Sequence, residues 1–238
     1  MGSIGKMSLK FTTYNTDVEW EGAIVDACLQ SITEAVEKRG KAKVCLCGGS
    51  TPVPIYNRLN KLDINWKKCT FTLTDERWVN LTCSDSNERM VKASLLANVT
   101  TNFISLYLES DCIGDALSRI SQKLEQHFSD GFDLVLLGMG DDGHIASLFP
   151  NTEETKTALS NDFNSILLSN QSPVNPRQRI SLSPKTLVNS REIILIIKGK
   201  KKREMLQLAK RTNDPCHYPV SLLFNTDNVS VRIMWCDD

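Results

Sequence analysis

The chain has 238 residues, with 28 Lys or Arg and 28 Asp or Glu, so its formal net charge is zero. A neutral chain has no global field that would attract nucleic acid or an anionic membrane, and any preference for anions must be local. The length suits one α/β domain with a substantial core, so we expect residues 1–238 to form a single domain.

The cysteines are scattered among apolar stretches without paired Cys-x-x-Cys spacing, which favours reduced thiols. A disulfide or a zinc site is the alternative, but Cys45 and Cys47 lie two apart in a predicted buried strand, where neither geometry is suggested. No apolar run approaches the roughly 20 residues of a membrane span, and no basic apolar leader follows Met1. We therefore expect a cytoplasmic protein, monomeric or weakly homo-oligomeric, with neither nucleic acid nor membrane as a partner.

The first half of the chain alternates between apolar strands and helices. Thr16 and Glu19 suit a capping box at the start of the first helix, and Gly40 supplies its stop. The predicted elements are a helix over 16–39, a strand over 44–47, a helix over 54–62, a strand over 69–74, a loop over 75–84, a helix over 85–97 with Asp85 and Glu88 as capping candidates, a strand over 103–106 and a helix over 111–128.

The second half opens with residues 132–137, the most hydrophobic strand candidate, which suits a strand buried on both faces. Further predicted elements are strands over 166–169, 179–183, 192–197 and 229–236, and a helix over 200–211. Strands that alternate with long helices imply right-handed crossovers and a mainly parallel sheet with helices on both faces. The predicted fold is α/β, Rossmann-like and doubly wound.

In such a sheet ligands bind beyond the carboxyl ends of the strands, where three unusual segments lie. The first is Gly48-Gly49-Ser50-Thr51-Pro52, whose glycines let backbone N–H groups approach a phosphate at the start of a helix. A tight turn with Ser/Thr capping is an equally good interpretation. The segment lacks GxxxxGK[ST] spacing, which argues against a nucleoside triphosphate.

The second segment is Asp75-Glu76-Arg77, which follows an apolar strand. The planar guanidinium of Arg77 could clamp a phosphate or polarise a carbonyl. Alone, the segment reads better as ionic loop residues.

The third segment, Gly138-Met139-Gly140-Asp141-Asp142-Gly143-His144, places a histidine at a strand end. Imidazole exchanges protons near neutral pH, and Asp142 could orient it and stabilise its protonated form. The alternative is a turn with a solvated His144. His127 and His217 are assigned no role.

A basic run, Lys198-Gly199-Lys200-Lys201-Lys202-Arg203, opens a predicted helix. The helix dipole disfavours cations at this end, which makes a bound anion plausible. Most of these side chains fit a solvated face, since only one or two can reach a single phosphate. No aromatic platform accompanies the run, which argues against nucleic acid.

Together the three segments, Ser86-Asn87 and the continuation Ile145-Ala146-Ser147-Leu148-Phe149-Pro150 resemble the 6-phosphogluconolactonases over nearly the whole chain. Arg179-Ile180-Ser181-Leu182-Ser183 and the pair Gly199 and Lys202 are weaker matches. The resemblance implies hydrolysis of 6-phospho-D-glucono-1,5-lactone to 6-phosphogluconate in the oxidative pentose phosphate pathway, without metal or organic cofactor. It implies that His144 is the base, Asp142 its partner and Arg77 a substrate contact. The implied substrate or phosphate contacts are Gly48, Gly49, Ser50, Thr51, Asp75, Asn87, Arg179 and Lys202.

Glucosamine-6-phosphate deaminases are the enzymatic alternative, because they resemble this chain around His144. That family carries a glutamate where this chain has Phe149 and a tyrosine where it has Arg77. Phenylalanine cannot exchange protons, so the departures favour the lactonase. A non-catalytic sugar-phosphate sensor is a third alternative, since a fold alone does not guarantee activity.

Overall fold

The structure is a computed structural model that describes residues 9–110, 112–226 and 228–237. The strands, in chain order, are β1 (Leu9–Tyr14), β2 (Ala42–Leu46), β3 (Cys69–Leu73), β4 (Asp75–Arg77), β5 (Asn102–Phe103), β6 (Phe132–Leu137), β7 (Leu167–Gln171), β8 (Gln178–Leu182), β9 (Ser190–Lys198) and β10 (Ser230–Cys236). The α-helices are α1 (Asp17–Arg39), α2 (Val53–Leu59), α3 (Asn87–Ser94), α4 (Ile113–Phe128), α5 (Glu153–Ala158), α6 (Pro184–Val188) and α7 (Lys200–Thr212), and 3₁₀ turns cover Trp66–Lys68 and Pro219–Phe224.

The centre of the fold is a seven-stranded sheet in the order β1-β10-β9-β6-β2-β3-β5. Every pairing in this sheet is parallel. All residues of β2 and β6 are buried, as strands covered on both faces require. The prediction of a mainly parallel, Rossmann-like sheet flanked by helices is confirmed.

The strand order locates the site. From β2 the chain moves outward to β3 and β5, and from β6 it moves the other way to β9 and β10. The neighbours β2 and β6 therefore form a topological switch point, where a crevice opens beyond the carboxyl ends of the strands. The segment that starts at Gly48 follows β2, and the segment that ends at His144 follows β6.

A second, antiparallel sheet has the order β4-β8-β7. The prediction of a loop over 75–84 is wrong at Asp75–Arg77, which forms β4 and pairs with β8. Three charged residues in a row show no apolar alternation, so the strand depends on its partner and not on its own pattern. The sequence analysis also missed β1, an edge strand whose residues are mostly exposed and which pairs with β10.

Helix starts show how side chains cap the backbone. In α1, Thr16 accepts a hydrogen bond from the Glu19 N–H at 3.3 Å and Gly40 adopts a left-handed φ of 74°, as predicted. Helix α3 begins at Asn87 and is capped by Ser86, so the prediction of Asp85 as its cap is wrong. The predicted start of α4 at residue 111 lies outside the described residues.

Other differences concern element ends. The strand predicted over 103–106 is limited to β5, and α5 and α6 are too short to show helical periodicity. No helix within the described residues combines the length and the apolar character that a membrane span needs.

Candidate active site

A cavity of about 260 Å³ opens at the switch point between β2 and β6. It brings together the three segments that the sequence analysis placed at strand ends, together with the start of α7. Its lining residues are Cys47, Gly48, Gly49, Ser50, Thr51, Pro52, Thr74, Asp75, Arg77, Asn87, Gly138, Met139, Gly140, His144, Ala146, Ile196 and Lys202. Of the predicted site residues, only Asp142 and Arg179 are not in this lining.

His144, which lines this cavity, forms a direct pair with Asp142. The His144 Nδ1 lies 2.6 Å from Asp142 Oδ1, and the same oxygen accepts the His144 backbone N–H at 3.1 Å. Burial pushes the pKa of Asp142 upward, but the hydrogen bond and charge of His144 outweigh it, and the pKa lies below its ordinary value. An ionised Asp142 favours the tautomer with hydrogen on Nδ1, which leaves Nε2 as the proton acceptor.

A glycine at position 140 makes room for this pair. A Cβ built on Gly140 would lie 2.2 Å from both Cε1 and Nδ1 of His144 and 2.7 Å from Asp142 Oδ1. The Gly140 N–H also donates to the His144 carbonyl at 2.9 Å, which closes the loop on itself. On another side, the Phe149 ring lies 5.0 Å from the imidazole, centroid to centroid. The imidazole therefore has both a carboxylate and a buried aromatic ring as neighbours.

The turn after β2 is shaped by Asn87. A Cβ on Gly48 would lie 2.1 Å from Asn87 Oδ1, so only glycine fits there. Gly49 adopts a φ of 92°, a conformation that favours glycine. The Asn87 side chain donates to the Asp75 carbonyl at 2.9 Å and so joins the turn to β4.

Asp75 is held from two sides. Its Oδ1 accepts the Thr74 hydroxyl at 3.0 Å, and its Oδ2 accepts the Ser147 hydroxyl at 2.6 Å. Because Ser147 lies three residues after His144, this bond connects β4 with the histidine loop. The Arg77 guanidinium donates to the Asp85 carbonyl at 2.6 Å. Sequence reasoning missed Ser147, since a buried serine has no signature of its own.

Arg77 and Arg179 are direct partners in the pairing of β4 with β8. Arg179 is only 6% exposed, and within the described residues its Nε has no hydrogen-bond partner. Burial, followed by the charge of Arg77, lowers the pKa of Arg179 from its ordinary value, while Asp75 and Glu76 oppose the shift. Two facing guanidinium groups repel each other unless an anion lies near them.

The lysines of the basic run at the start of α7 differ in their surroundings, as expected if only one or two of them can reach a single phosphate. Lys202 lines the cavity, whereas Lys201 pairs with Asp141 at 2.9 Å. Lys200 is 78% exposed and lies 3.7 Å from a carboxylate oxygen of Asp237. One lysine of the run therefore faces the cavity.

Among the described residues, a group with metal-ligand chemistry is Asp214, Cys216 and His217, whose ligand atoms lie within 4.8 Å of one another. His217 Nδ1 is 2.7 Å from Asp214 Oδ2. None of these three residues lines the cavity.

Comparison with known proteins agrees with this architecture. The family described as glucosamine-6-phosphate isomerases/6-phosphogluconolactonase matches residues 16–235. This chain belongs to that family. A 6-phosphogluconolactonase of Xylella fastidiosa (strain Temecula1 / ATCC 700964) is 30% identical over 232 residues, which cover 94% of each chain. The crystal structure of a 6-phosphogluconolactonase from Shewanella baltica OS155 is 30% identical, with a TM-score of 0.90 over 98% of this chain and 100% of that one.

The fold of the isomerase/lactonase family is shared by more than one named activity. A monomeric glucosamine-6-phosphate deaminase is 21% identical, with a TM-score of 0.76 over 96% of this chain and 97% of that one. At this identity the likeness concerns the fold alone. The reaction of this family member must therefore be argued from its own side chains.

Two positions distinguish this chain from the glucosamine-6-phosphate deaminases, and both of their side chains lie in or against the cavity. Phe149 is buried beside His144, and Arg77 lines the wall. The apolar part of the lining includes Met139, Ala146 and Ile196. Met139 and Ala146 belong to segments that the sequence analysis singled out, but none of the three was predicted as a site residue, and Ile196 reads as ordinary core.

Proposed function

We propose that this protein hydrolyses 6-phospho-D-glucono-1,5-lactone to 6-phosphogluconate, which is one step of the oxidative pentose phosphate pathway. One observation carries the proposal: the His144 and Asp142 pair lies at the same cavity as the Gly48–Thr51 turn and Lys202. A proton acceptor and an anion-binding region thus lie at one small cavity. A phosphorylated ester substrate needs both.

The phosphate docks against Gly49, Ser50 and Thr51, with Lys202 and Arg179 as its cationic partners. Charge-assisted hydrogen bonds of this kind are the strong ones in proteins. The buried Arg179 Nε, for which the described part of the chain offers no hydrogen-bond partner, and the nearby positive charge of Arg77 support an anion in this region. Binding energy from the remote phosphate orients the lactone carbon C1 near His144.

In the chemical step, His144 Nε2 removes a proton from water while the water oxygen forms a bond to C1. Negative charge then develops on the carbonyl oxygen, where Arg77 stabilises it. The bond from C1 to the ring oxygen breaks, and the ring oxygen takes up the proton of the His144 imidazolium as it becomes a hydroxyl. Asp142 stabilises the imidazolium between the two proton transfers. These steps need no covalent enzyme intermediate.

The decisive experiment offers the enzyme freshly generated 6-phosphogluconolactone and, separately, glucosamine 6-phosphate. Acid release and ammonia release are followed independently, with spontaneous lactone hydrolysis subtracted. We expect acid release from the lactone only. Ammonia release would favour a deaminase, and binding without either product would favour a sugar-phosphate sensor.

Removing a phosphate contact should weaken substrate binding more than it slows chemistry. We expect Lys202→Ala and Arg179→Ala each to raise KM by about 10- to 100-fold with kcat little changed, because a hydrogen bond to a charged group contributes roughly 1.5–3 kcal/mol. Steady-state kinetics on the lactone check this. Lys200→Ala is the matched control, since Lys200 is exposed outside the cavity, and it should keep the wild-type KM. Unchanged KM values in both test variants would contradict the phosphate placement.

A further inference from the structure

Glu76 is the middle residue of β4, between Asp75 and Arg77, which both line the cavity. Successive side chains of a strand point to opposite faces, so Glu76 faces away from the cavity. Its exposed fraction is 0%. Burial of a carboxylate is unfavourable unless hydrogen bonds and charges compensate it.

Four donors provide that compensation. Oε1 of Glu76 accepts the backbone N–H of Arg77 at 2.7 Å and that of Asn87 at 2.8 Å. Oε2 accepts the N–H of Glu88 at 2.7 Å and the hydroxyl of Ser86 at 3.1 Å. Three of these donors belong to the cap and first residues of α3, where the helix dipole favours a negative charge. One carboxylate therefore joins β4 to the start of α3.

Both residues that Glu76 holds through Oε1 belong to the cavity wall. Asn87 contacts the turn after β2 so closely that a Cβ on Gly48 would lie 2.1 Å from its amide oxygen. A shift at the start of α3 would therefore move Asn87 against that turn. A shift at the N–H of Arg77 would move the guanidinium beside the reacting carbonyl.

We propose that Glu76 is a positioning residue for lactone hydrolysis, whose carboxylate sets the places of Asn87 and Arg77 in the cavity. The inference rests on the proposed function and deepens it. Glu76 touches no substrate and acts only through these two neighbours.

Protonation of the Glu76 carboxylate should make this positioning role depend on pH. Burial raises the pKa of Glu76 to about 7, against the N–H donors that lower it, and the charge of Asp75 adds to the increase. The charge of Arg179 on β8 interacts with that of Glu76, whereas Arg77 on β4 and Glu88 on α3 contact the carboxylate through their backbone N–H groups. A raised pKa means that the group is protonated below pH 7, where it loses acceptor capacity for its four donors. The positioning should therefore weaken gradually as the pH falls through the range around the pKa of Glu76.

The test compares Glu76→Gln with a matched control, Glu88→Gln. Glu88 is buried nearby, but its side chain accepts the Ser105 hydroxyl and pairs with Lys92 at 2.6 Å. At pH 8 we expect Glu76→Gln to lower kcat/KM by roughly 10- to 100-fold, since small misplacements of cavity groups are costly, and Glu88→Gln to stay near wild type. Circular dichroism shows that each variant is folded at the assay temperature.

The pH profile separates positioning from a general loss of structure. The ratio of wild-type to Glu76→Gln activity should shrink as the pH falls below 7, because the wild type then also loses its carboxylate. Any pH dependence that the two proteins share cancels in the ratio. A ratio independent of pH, or a kcat/KM of Glu76→Gln within twofold of wild type, would overturn the inference.

Two further measurements keep the test informative. If Glu76→Gln does not fold, Glu76→Asp replaces it, because it retains the charge on a shorter side chain. The kcat/KM of Glu76→Asp should be lower than that of wild type and of Glu88→Gln, but not zero. Wild-type activity in Glu76→Asp would overturn the inference. If the wild type does not hydrolyse the lactone, the proposed function fails by itself. Crystal structures then test the positioning role of Glu76. Asn87 and Arg77 should be displaced in Glu76→Gln or Glu76→Asp and unmoved in Glu88→Gln.

Discussion

Alanine in place of His144 should lower kcat for lactone hydrolysis by about 10²- to 10⁴-fold, the usual contribution of a general base. KM should change little, because the imidazole acts in proton transfer and the phosphate contacts remain. The measurement is acid release from freshly prepared lactone, corrected for spontaneous hydrolysis. Folding should be intact, since the His144 side chain is 32% exposed and its loss leaves no large buried cavity.

A second histidine provides the control. His217 also pairs with a carboxylate, at 2.7 Å from Asp214, but does not line the cavity. His217→Ala should therefore retain wild-type kcat. Equal activity of His144→Ala and wild type would remove His144 from the mechanism, whatever the control shows.

Gly140→Ala should cost about 10²-fold in kcat/KM, the loss expected when a reacting group is misplaced by about 1 Å. The added Cβ would lie 2.2 Å from two atoms of the His144 ring and 2.7 Å from Asp142 Oδ1, so the ring must leave its place beside the carboxylate. The variant keeps every functional group and changes only their arrangement. Kinetics on the lactone and a crystal structure of the variant measure both consequences.

The matched control is Gly138→Ala in the same loop. A Cβ at Gly138 meets no protein atom within 4 Å, so the His144 ring should keep its place beside Asp142 in the crystal structure of this variant. An unmoved His144 ring in Gly140→Ala as well would mean that the His144 and Asp142 pair needs no space at Gly140.

The sequence was most informative where chemistry and chain position coincide. Asp142 and His144 lie two residues apart around a glycine bend, so their pairing was predictable and the atoms lie 2.6 Å apart. The strand over Phe132–Leu137 was predicted with its observed bounds, because burial on both faces leaves an uninterrupted apolar run. Because β2 and β6 are parallel, the Gly48 and His144 segments that follow them lie at the same end of the sheet.

Other features had no local signal. The pairing of β4 with β8 places Arg77 opposite Arg179, although about a hundred residues separate them in the chain. Glu76 reads in sequence as one more charged loop residue, yet it is buried beneath the cavity wall with four donors. A run of charged residues is normally solvated, and only the partner strand and the start of α3 reverse that expectation.

By itself, the sequence determined the alternation of strands and helices, the parallel sheet and the three segments that meet at its switch point, because periodicity and glycine turns are local properties of the chain. The tertiary structure decided which remote side chains share space: Asn87 against Gly48, Ser147 with Asp75, and Glu76 with α3. Such contacts depend on the packing of elements that are distant in the chain, and close packing leaves room for one arrangement only.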